Sequence, residues 1–351
     1  MTYLNHSRPD RVAGFVLSIL VLSGLAFYSL VVFWPLPEVD SPVTIKIEQG
    51  ASLKKIGDDL KEKNVIVDSE TFVMATRMMG HETAIRAGVF SLSDFRSNYH
   101  IVHQLVNGTP LLRRITIPEG MRKEQVAALF REQLGVDEET FLSLCTDDRF
   151  IESFDIKALS LEGFLFPDTY QFYEDETAKR IIETMVLQYR KLFKEELDYR
   201  LELYGLTELE MVTLASIIEG EAIYDSERPL ISAVYHNRLE REMRLQADPT
   251  IQFIIDDGPR RLLIRDLRIE SPYNTYLNYG LPPGPINSPG RASLRAALTP
   301  ADADFLFFVA NGEGYHTFSR TEAEHIQAKK KFQRYRRKVQ RQRSQAKANK
   351  S

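Results

Sequence analysis

The chain has 351 residues, enough for about two domains of ordinary size, and 43% of them are hydrophobic. Its net charge of −4 is unevenly distributed: eleven lysines and arginines and no acid lie between Lys329 and Lys350, so the rest of the chain carries −15. The single cysteine, Cys145, excludes an internal disulfide and a cysteine-based metal site. The sequence has no G-x-S-x-G, P-loop or G-x-G-x-x-G motif, which argues against serine hydrolases, nucleotide hydrolases and dinucleotide-binding enzymes.

The first predicted element is a membrane span. Residues 13–34 form a run of 22 residues without a charge, long enough to cross a bilayer as a helix. The run is longer than the core of a cleavable signal peptide and no clear A-x-A site follows it, so we expect an uncleaved anchor. Two arginines precede it and two acids follow it. This predicts residues 1–12 in the cytoplasm, the rest of the chain outside, and a single-pass protein of the inner (cytoplasmic) membrane.

A small domain is predicted over residues 43–110. Its pattern gives a strand over 44–50, a helix that begins at Ser52, a second helix over 69–79 and a strand over 88–92. This β-α-α-β order and the spacing of Gly50, Leu53 and Ile56 resemble a LysM carbohydrate-binding module. A structural spacer is the alternative interpretation.

Residues 111–330 are predicted to form a larger mixed α+β domain. Four aromatic residues within 164–172 surround a Pro-Asp turn, and such rings stack on sugars or, more often, form a core. A long amphipathic helix is predicted over 180–204, with Gly205 ending it.

The most informative stretch is 206–222, which ends in Glu219, Gly220 and Glu221. A Thr-x-x-Glu capping box near its start predicts a helix. At 100° per residue the two glutamates point to nearly opposite sides, and more aliphatic residues share the side of Glu221. A carboxyl held against aliphatic side chains has a raised pKa and can act as a general acid. Gly220 would let a bulky substrate approach the backbone. The alternative is a helix that ends in two solvated glutamates.

Polar loops follow this helix. A further helix is predicted over 226–243, and we interpret its His236 as a structural residue. Beyond it, Gln246 and Asp248 share one loop, and residues 271–290 form a second loop with five prolines. Rigid loops that carry such polar side chains make suitable walls for a substrate groove, and an ordinary surface connection is the alternative. The second loop also carries Tyr273, Asn274 and Tyr276.

A carboxylic acid among tyrosine, asparagine, glutamine and threonine suits cleavage of a glycosidic bond, which requires a proton on the leaving oxygen. A typical hydrolase uses two carboxylates, so with one acid the nucleophile is a water or a group of the substrate. Metal ligation is thinly supported, because the only closely spaced histidines, His100 and His103, bring no acidic partner.

Several groups of residues, in order along the chain, are similar to those of the YceG-like endolytic murein transglycosylases. They are residues 215–221, 237–239, 243–250, 273–276 and 280–284, with further likeness at 162–169 and 308–318. The resemblance extends from the anchor to about His325. The sequence departs from the family pattern at Gly220, where a larger residue, often lysine, is usual.

The resemblance implies an α+β protein with a single N-terminal transmembrane helix, a LysM-like domain and a catalytic domain over 111–330. It implies that Glu221 cleaves the bond between N-acetylmuramic acid and N-acetylglucosamine within nascent glycan strands. The products would be 1,6-anhydro ends, formed without water, metal or cofactor, and elongation of the strand would stop. Candidate substrate-binding residues are Glu219, Gln246, Asp248, Tyr273, Asn274 and Tyr276.

Two alternatives remain open. One is a non-catalytic, membrane-anchored scaffold that binds peptidoglycan, and the other is a hydrolase in which Glu219 or Asp248 is the second carboxylate. The expected partners are glycan strands, the membrane through residues 13–34 and, at the level of the family, peptidoglycan synthases; no nucleic acid partner is expected.

The basic tail over 331–351 is typical of a disordered, solvated segment, and we favour that interpretation. The functional alternative is contact with anionic lipid, wall polymer or nucleic acid.

Overall fold

The computed structural model describes residues 8–36, 42–48, 50–256 and 258–348. Contacts divide the chain into two compact units: unit 1 comprises residues 1–114 and 171–175, and unit 2 comprises residues 115–170 and 176–351. The two acids expected to follow the membrane span lie outside the described residues.

Unit 1 begins with helix α1, Arg8–Val32. Within it, Val12–Val32 has a mean hydropathy of 2.4, and its length and composition would allow it to cross a membrane. The helix ends at Val32, two residues before the end of the uncharged run. Its last turn packs on the helix Ser69–Met78, where Val32 and Ala75 are both fully buried. Asn98 caps this turn, because its Nδ2 donates to the Val31 carbonyl at 3.0 Å.

The remainder of unit 1 has the predicted β-α-α-β order. Strands β1 and β2 pair antiparallel, with Ile45 opposite Phe90, and both side chains are buried in the core of the unit. Ser52 accepts a hydrogen bond from the Lys55 N–H and so caps the first helix, as predicted. The elements are β1 Val43–Ile47, α2 Leu53–Glu62, α3 Ser69–Met78, β2 Gly88–Leu92 and α4 Asn98–Asn107.

The chain continues through strands β3, Leu112–Thr116, and β4, Thr169–Tyr173, which pair with each other. The aromatic residues after Glu162 are buried: Phe164 is 1% exposed and Phe166 5%. These rings therefore form core and offer no surface for stacking on a sugar. Three short helices precede them, α5 Lys123–Leu134, α6 Glu138–Leu144 and α7 Asp148–Glu152.

The prediction of one continuous α-helix over 180–204 is wrong, because the segment changes helix type along its length. Helix α8, Ala178–Leu192, is followed by a π-helical turn at Phe193–Leu197 and a 3-10 turn at Asp198–Arg200, and only Leu201–Tyr204 returns to α geometry as α9. Gly205 ends the segment in the left-handed region at φ 60°, as its position predicted.

Helix α10, Glu208–Glu221, lies at the centre of unit 2. The predicted capping box is present: the Glu210 N–H donates to the Thr207 hydroxyl, and the Thr207 N–H donates to the Glu210 carboxylate at 2.8 Å. All eight residues over 211–218 are buried, so the helix has no solvated face to contrast with an apolar one. It packs against α11 Arg228–Glu240, α12 Asp248–Ile254 and α13 Arg291–Ala297.

The end of unit 2 is helical over most of the tail that was predicted to be disordered, residues 331–351, of which 349–351 lie outside the described residues. Strands β5, Phe307–Ala310, and β6, His316–Ser319, form an antiparallel pair, and helix α14 then runs from Glu322 to Ala348. The first part of α14 packs on β5 and β6, where the His325 ring stacks on Phe307 with a centroid distance of 5.0 Å. Beyond it, the described side chains of the helix are mostly exposed, as predicted for a solvated segment.

Candidate active site

The proline-rich loop holds the carboxyl-terminal half of α10 in place. The Ile286 N–H donates to the Ser216 hydroxyl at 3.1 Å, and Asn287 Nδ2 donates to the Ser216 carbonyl at 2.9 Å. Ser216 is fully buried and Asn287 nearly so. This part of the loop therefore crosses a buried helix and fixes it through hydrogen bonds that are shielded from water.

Close packing also explains the glycine between the two glutamates. A Cβ atom on Gly220 would lie 2.6 Å from the Pro249 Cβ, closer than two non-bonded carbon atoms can approach. The absent side chain therefore makes room for Pro249 in the first turn of α12. The end of α10 and the start of α12 are thereby brought together, and with them Glu221 and Asp248.

Glu221 is half-buried at the end of α10. The Tyr235 hydroxyl on α11 donates to its Oε1 at 3.1 Å, and the backbone N–H of Asp248 also donates to it. Burial raises the pKa of Glu221 to about 8, with a further rise from the Asp248 charge and smaller opposing effects from the two donors and Arg238. Glu221 is therefore protonated at neutral pH.

Two cavities adjoin at this acid. The first, which we call the α14-side cavity, has a volume of about 360 Å³, and its lining includes Glu221, Asp248, Arg238 and Lys329. The second, the α5-side cavity, measures about 610 Å³ and is lined by Glu221, Asp248 and residues such as Gln125. Since both contain the same two carboxyl groups, Glu221 lies where a ligand that extends into both cavities would pass.

Glu219 has a different environment. Its side chain is only 7% exposed, and its oxygens accept from Arg228 Nη2 at 3.2 Å and the Gly290 N–H at 3.0 Å. It lines neither cavity. Glu219 thus ties α10 to α11 and to the start of α13, a structural role.

Gln246, Asp248 and Tyr276 come together in the α14-side cavity. The Tyr276 hydroxyl donates to Asp248 Oδ1 at 2.5 Å, and burial together with the Asp248 charge raises the pKa of that tyrosine. Gln246 is exposed, and its backbone has a φ of +47°, a conformation held by a hydrogen bond from its N–H to the Thr275 carbonyl.

The other two sequence-predicted residues, Tyr273 and Asn274, line neither cavity. Asn274 has no exposed surface; its Nδ2 donates to the Ile269 carbonyl at 2.7 Å and its Oδ1 accepts from the Tyr276 N–H at 2.9 Å. The Tyr273 ring packs on Phe253 with a centroid distance of 4.8 Å. Neither lines either cavity, so we now regard Asn274 as the residue that positions Tyr276.

Sequence reasoning missed Tyr235, Arg238, His325 and Lys329. Tyr235 is 1% exposed on α11, and its hydroxyl reaches Glu221. The available signal was that a buried tyrosine requires a partner for its hydroxyl. His236 has the structural role predicted for it: its Nε2 contacts the Ala297 carbonyl at 2.8 Å and burial lowers its pKa.

The fold and the cleft define an α+β protein in which one protonated carboxylic acid lies between two cavities, an arrangement suited to general acid catalysis on an extended substrate. Comparison with known sequences is more specific. The model of the YceG-like family matches residues 45–331, and the chain belongs to that family.

Individual relatives agree with this assignment. The chain is 34% identical to the endolytic murein transglycosylase of Bacillus subtilis, over 89% of this chain and 91% of that protein. It is 29% identical to the endolytic murein transglycosylase of Streptococcus pneumoniae strain R6, over 91% of this chain and 66% of that protein. A crystal structure of a yceG-like protein from Listeria monocytogenes is similar with a TM-score of 0.57 and 32% identity, over 82% of this chain and 99% of that one.

Proposed function

We propose that this protein is an endolytic murein transglycosylase, a lyase that cuts peptidoglycan glycan strands without water. The observation that carries the proposal is Glu221, a single carboxylic acid that holds its proton up to a pH of about 8 where two cavities meet. The names of the relatives supply the substrate class.

The reaction requires one group that first donates and then accepts a proton. The Glu221 carboxyl gives its proton to the oxygen that joins C1 of N-acetylmuramic acid to C4 of N-acetylglucosamine, and the C1–O bond breaks. The muramyl 6-hydroxyl oxygen then forms a bond to C1 and transfers its proton to the Glu221 carboxylate. The products are a 1,6-anhydro end and a new 4-hydroxyl, and the acid is regenerated.

The surroundings of Glu221 suit both halves of this cycle. Burial keeps the carboxyl protonated before the bond breaks. The Tyr235 hydroxyl and the Asp248 N–H stabilise the carboxylate formed after it, which limits the cost of the charged intermediate state. A groove with cavities on both sides of the acid would accept a bond in the interior of a strand, which is what internal cleavage of nascent glycan and arrest of its elongation require.

The hydrolase alternative now rests on Asp248, because Glu219 is held by Arg228 and Gly290 and lines neither cavity. Asp248 shares both cavities with Glu221 and is close enough to raise its pKa. The two reactions differ in product mass, since hydrolysis leaves a reducing end heavier by one water. Mass spectrometry of the released ends from the wild-type protein therefore distinguishes them.

The substitution Glu221→Gln tests the assignment of the acid. We expect a folded protein that releases no anhydro ends, because the amide has no proton to donate at neutral pH. The matched control is Glu219→Gln, which we expect to lower thermal stability but to retain the same product. Continued release by the Glu221→Gln protein would refute the role of Glu221, and a protein that binds glycan without cleaving it would support the scaffold alternative.

We infer three further properties. The β1-α2-α3-β2 domain is a LysM-like module, supported by its element order and by the glycine turn that follows β1. The α1 helix anchors the chain in the inner membrane with residues 1–12 in the cytoplasm and the later domains outside, supported by the charges around the span. Peptidoglycan synthases are partners, an expectation that comes from the family resemblance alone.

Each property has its own test. Glycan pull-down with residues 43–110 fused to an inert carrier checks the module. Protease added outside intact protoplasts removes the catalytic domain only if the orientation is as proposed. Failure of the protein to co-purify with synthases from cross-linked membranes would argue against the partnership.

A further inference from the structure

The α14-side cavity contains a buried cation that the proposed reaction does not require. Arg238 is 7% exposed, and its Nε and Nη1 donate to the Leu306 and Leu245 carbonyls, each at 2.7 Å. Nη1 also makes a longer contact to the Arg244 carbonyl, and Nη2 takes part in none of these bonds. Within the described residues, no carboxylate lies within ion-pair distance of this guanidinium. Because buried charges are usually paired, an Arg fixed by neutral carbonyls has capacity for an anionic ligand.

A second cation faces the same space. Lys329 on α14 lines the cavity with Arg238, is exposed, and has no ion pair in the described part of the chain. The two charges act on one neighbour, since burial, Lys329 and Arg238 together lower the pKa of His325 to about 4. His325 also lines the cavity. It is uncharged at neutral pH, so the positive charge of the cavity comes from Arg238 and Lys329.

The α5-side cavity carries less available positive charge. Among the described residues that line it, Arg122 is the one cation, and its two terminal nitrogens donate to the Gln252 and Phe253 carbonyls at 2.5 and 3.2 Å. Glu124 lines the same cavity. The other histidine of the α14 side, His316, is already bonded to Glu227 at 2.9 Å. The excess of available positive charge therefore lies on one side of Glu221.

We propose that the α14-side cavity binds a carboxylate on the substituent of the muramyl residue, through Arg238 Nη2 and Lys329 Nζ. This rests on the proposed function, in which the two sugars flanking the cleaved bond differ, because only N-acetylmuramic acid carries a lactyl group or the peptide attached to it. The muramyl residue then occupies the α14 side of Glu221, and the leaving N-acetylglucosamine occupies the α5 side. The groove would thereby bind the glycan strand in one orientation.

The carboxylate has two chemical sources, which different substrates separate. In a strand stripped of its peptides by an amidase, the lactyl group itself ends in a carboxylate. In a strand that retains its peptides, the lactyl carboxyl is an amide and the carboxylates belong to the peptide. N-acetylglucosamine oligomers carry neither and serve as competitors that bind through sugar contacts alone.

The test uses the full chain in nanodiscs of neutral lipid and measures the release of anhydro ends. Lys329→Met should raise KM about fivefold with kcat unchanged, as expected for the loss of one partly exposed charge-assisted hydrogen bond, and Lys329→Glu should raise it further. The matched control is Lys330→Met, one residue along the same helix, exposed and outside the cavity, which should change neither constant.

The substrates decide the source. A rise in KM for stripped strands supports the lactyl carboxylate as the ligand, and a rise confined to peptide-bearing strands supports a peptide carboxylate. Equal KM values for the Lys329→Met and Lys330→Met proteins on both substrates overturn the inference, as does an equal loss of affinity for the uncharged competitor. If the wild-type protein releases no anhydro ends from either strand, the proposed function fails first and the inference with it.

Discussion

The pKa of Glu221 makes a prediction about the pH dependence of cleavage. Its rise from 4.5 to about 8 corresponds to a penalty of the order of 5 kcal/mol on the carboxylate relative to the acid. Because the first step requires the protonated form, kcat/KM should be high below pH 8 and should fall tenfold per pH unit above it. A profile of anhydro-end release between roughly pH 5 and 10 measures this decline, which is the alkaline limb of the profile.

Two substitutions should move the limb in opposite directions. Asp248→Asn removes a charge that disfavours the Glu221 carboxylate, so the limb should shift by about one pH unit to lower pH. Tyr235→Phe removes a hydroxyl that donates to the carboxylate at 3.1 Å, so the limb should shift by about one pH unit to higher pH. In Asp248→Asn the side chain still offers an oxygen to the Tyr276 hydroxyl, which limits the structural disturbance.

The control for losing a buried tyrosine hydroxyl is Tyr189→Phe. Tyr189 is fully buried and donates to Glu208 at 2.8 Å, at the opposite end of α10 from Glu221. This variant should lose stability without a shift of the limb. Shifts of the same sign for Asp248→Asn and Tyr235→Phe, or a wild-type profile that is flat across pH 8, would refute the electrostatic reasoning.

The remaining predictions concern packing and buried charge. Gly220→Ala should lower the free energy of unfolding by about 1–3 kcal/mol and reduce activity, because its Cβ would lie 2.6 Å from that of Pro249; an unchanged melting temperature would contradict the close contact. Glu162 is 3% exposed, and burial raises its pKa from 4.5 to about 7, so the stability it contributes is present below pH 4.5 and is lost as the pH rises through 7. Glu162→Gln, which keeps an acceptor for the Lys123 N–H, should therefore raise the melting temperature more at pH 8 than at pH 5, and an equal effect at both would exclude a buried carboxylate as the cause.

Local signals were sufficient where the deciding contacts are local. The start of α10 is a capping box within four residues, and both of its hydrogen bonds form. The predicted β-α-α-β order follows from a cap at Ser52 and from strands whose alternate residues, such as Ile45, enter one core. In each case the residues that determine the element lie within the element or directly beside it.

The difference between the two glutamates has a physical origin that the sequence could not display. The helix is buried on all sides over 211–218, so the share of aliphatic residues on each face does not separate the two acids. They are separated by partners distant in the chain: Glu219 receives the Gly290 N–H, 71 residues away, whereas Glu221 faces Asp248 and Tyr235. The first part of α14 likewise packs on β5 and β6, a tertiary contact that its charged composition does not display.

Burial gives the site its position as well as its chemistry. A helix that is buried along its length has little freedom to rotate or slide. The Pro249 contact at Gly220 and the Ser216 hydrogen bonds also fix the position of its carboxyl-terminal end. Glu221, at that end, then lies in the cleft with enough desolvation to keep its proton. Glu219, two residues earlier, forms an ion pair with Arg228. A looser helix end would admit water to Glu221 and lower its pKa, so close packing and general acid strength at this site depend on the same contacts.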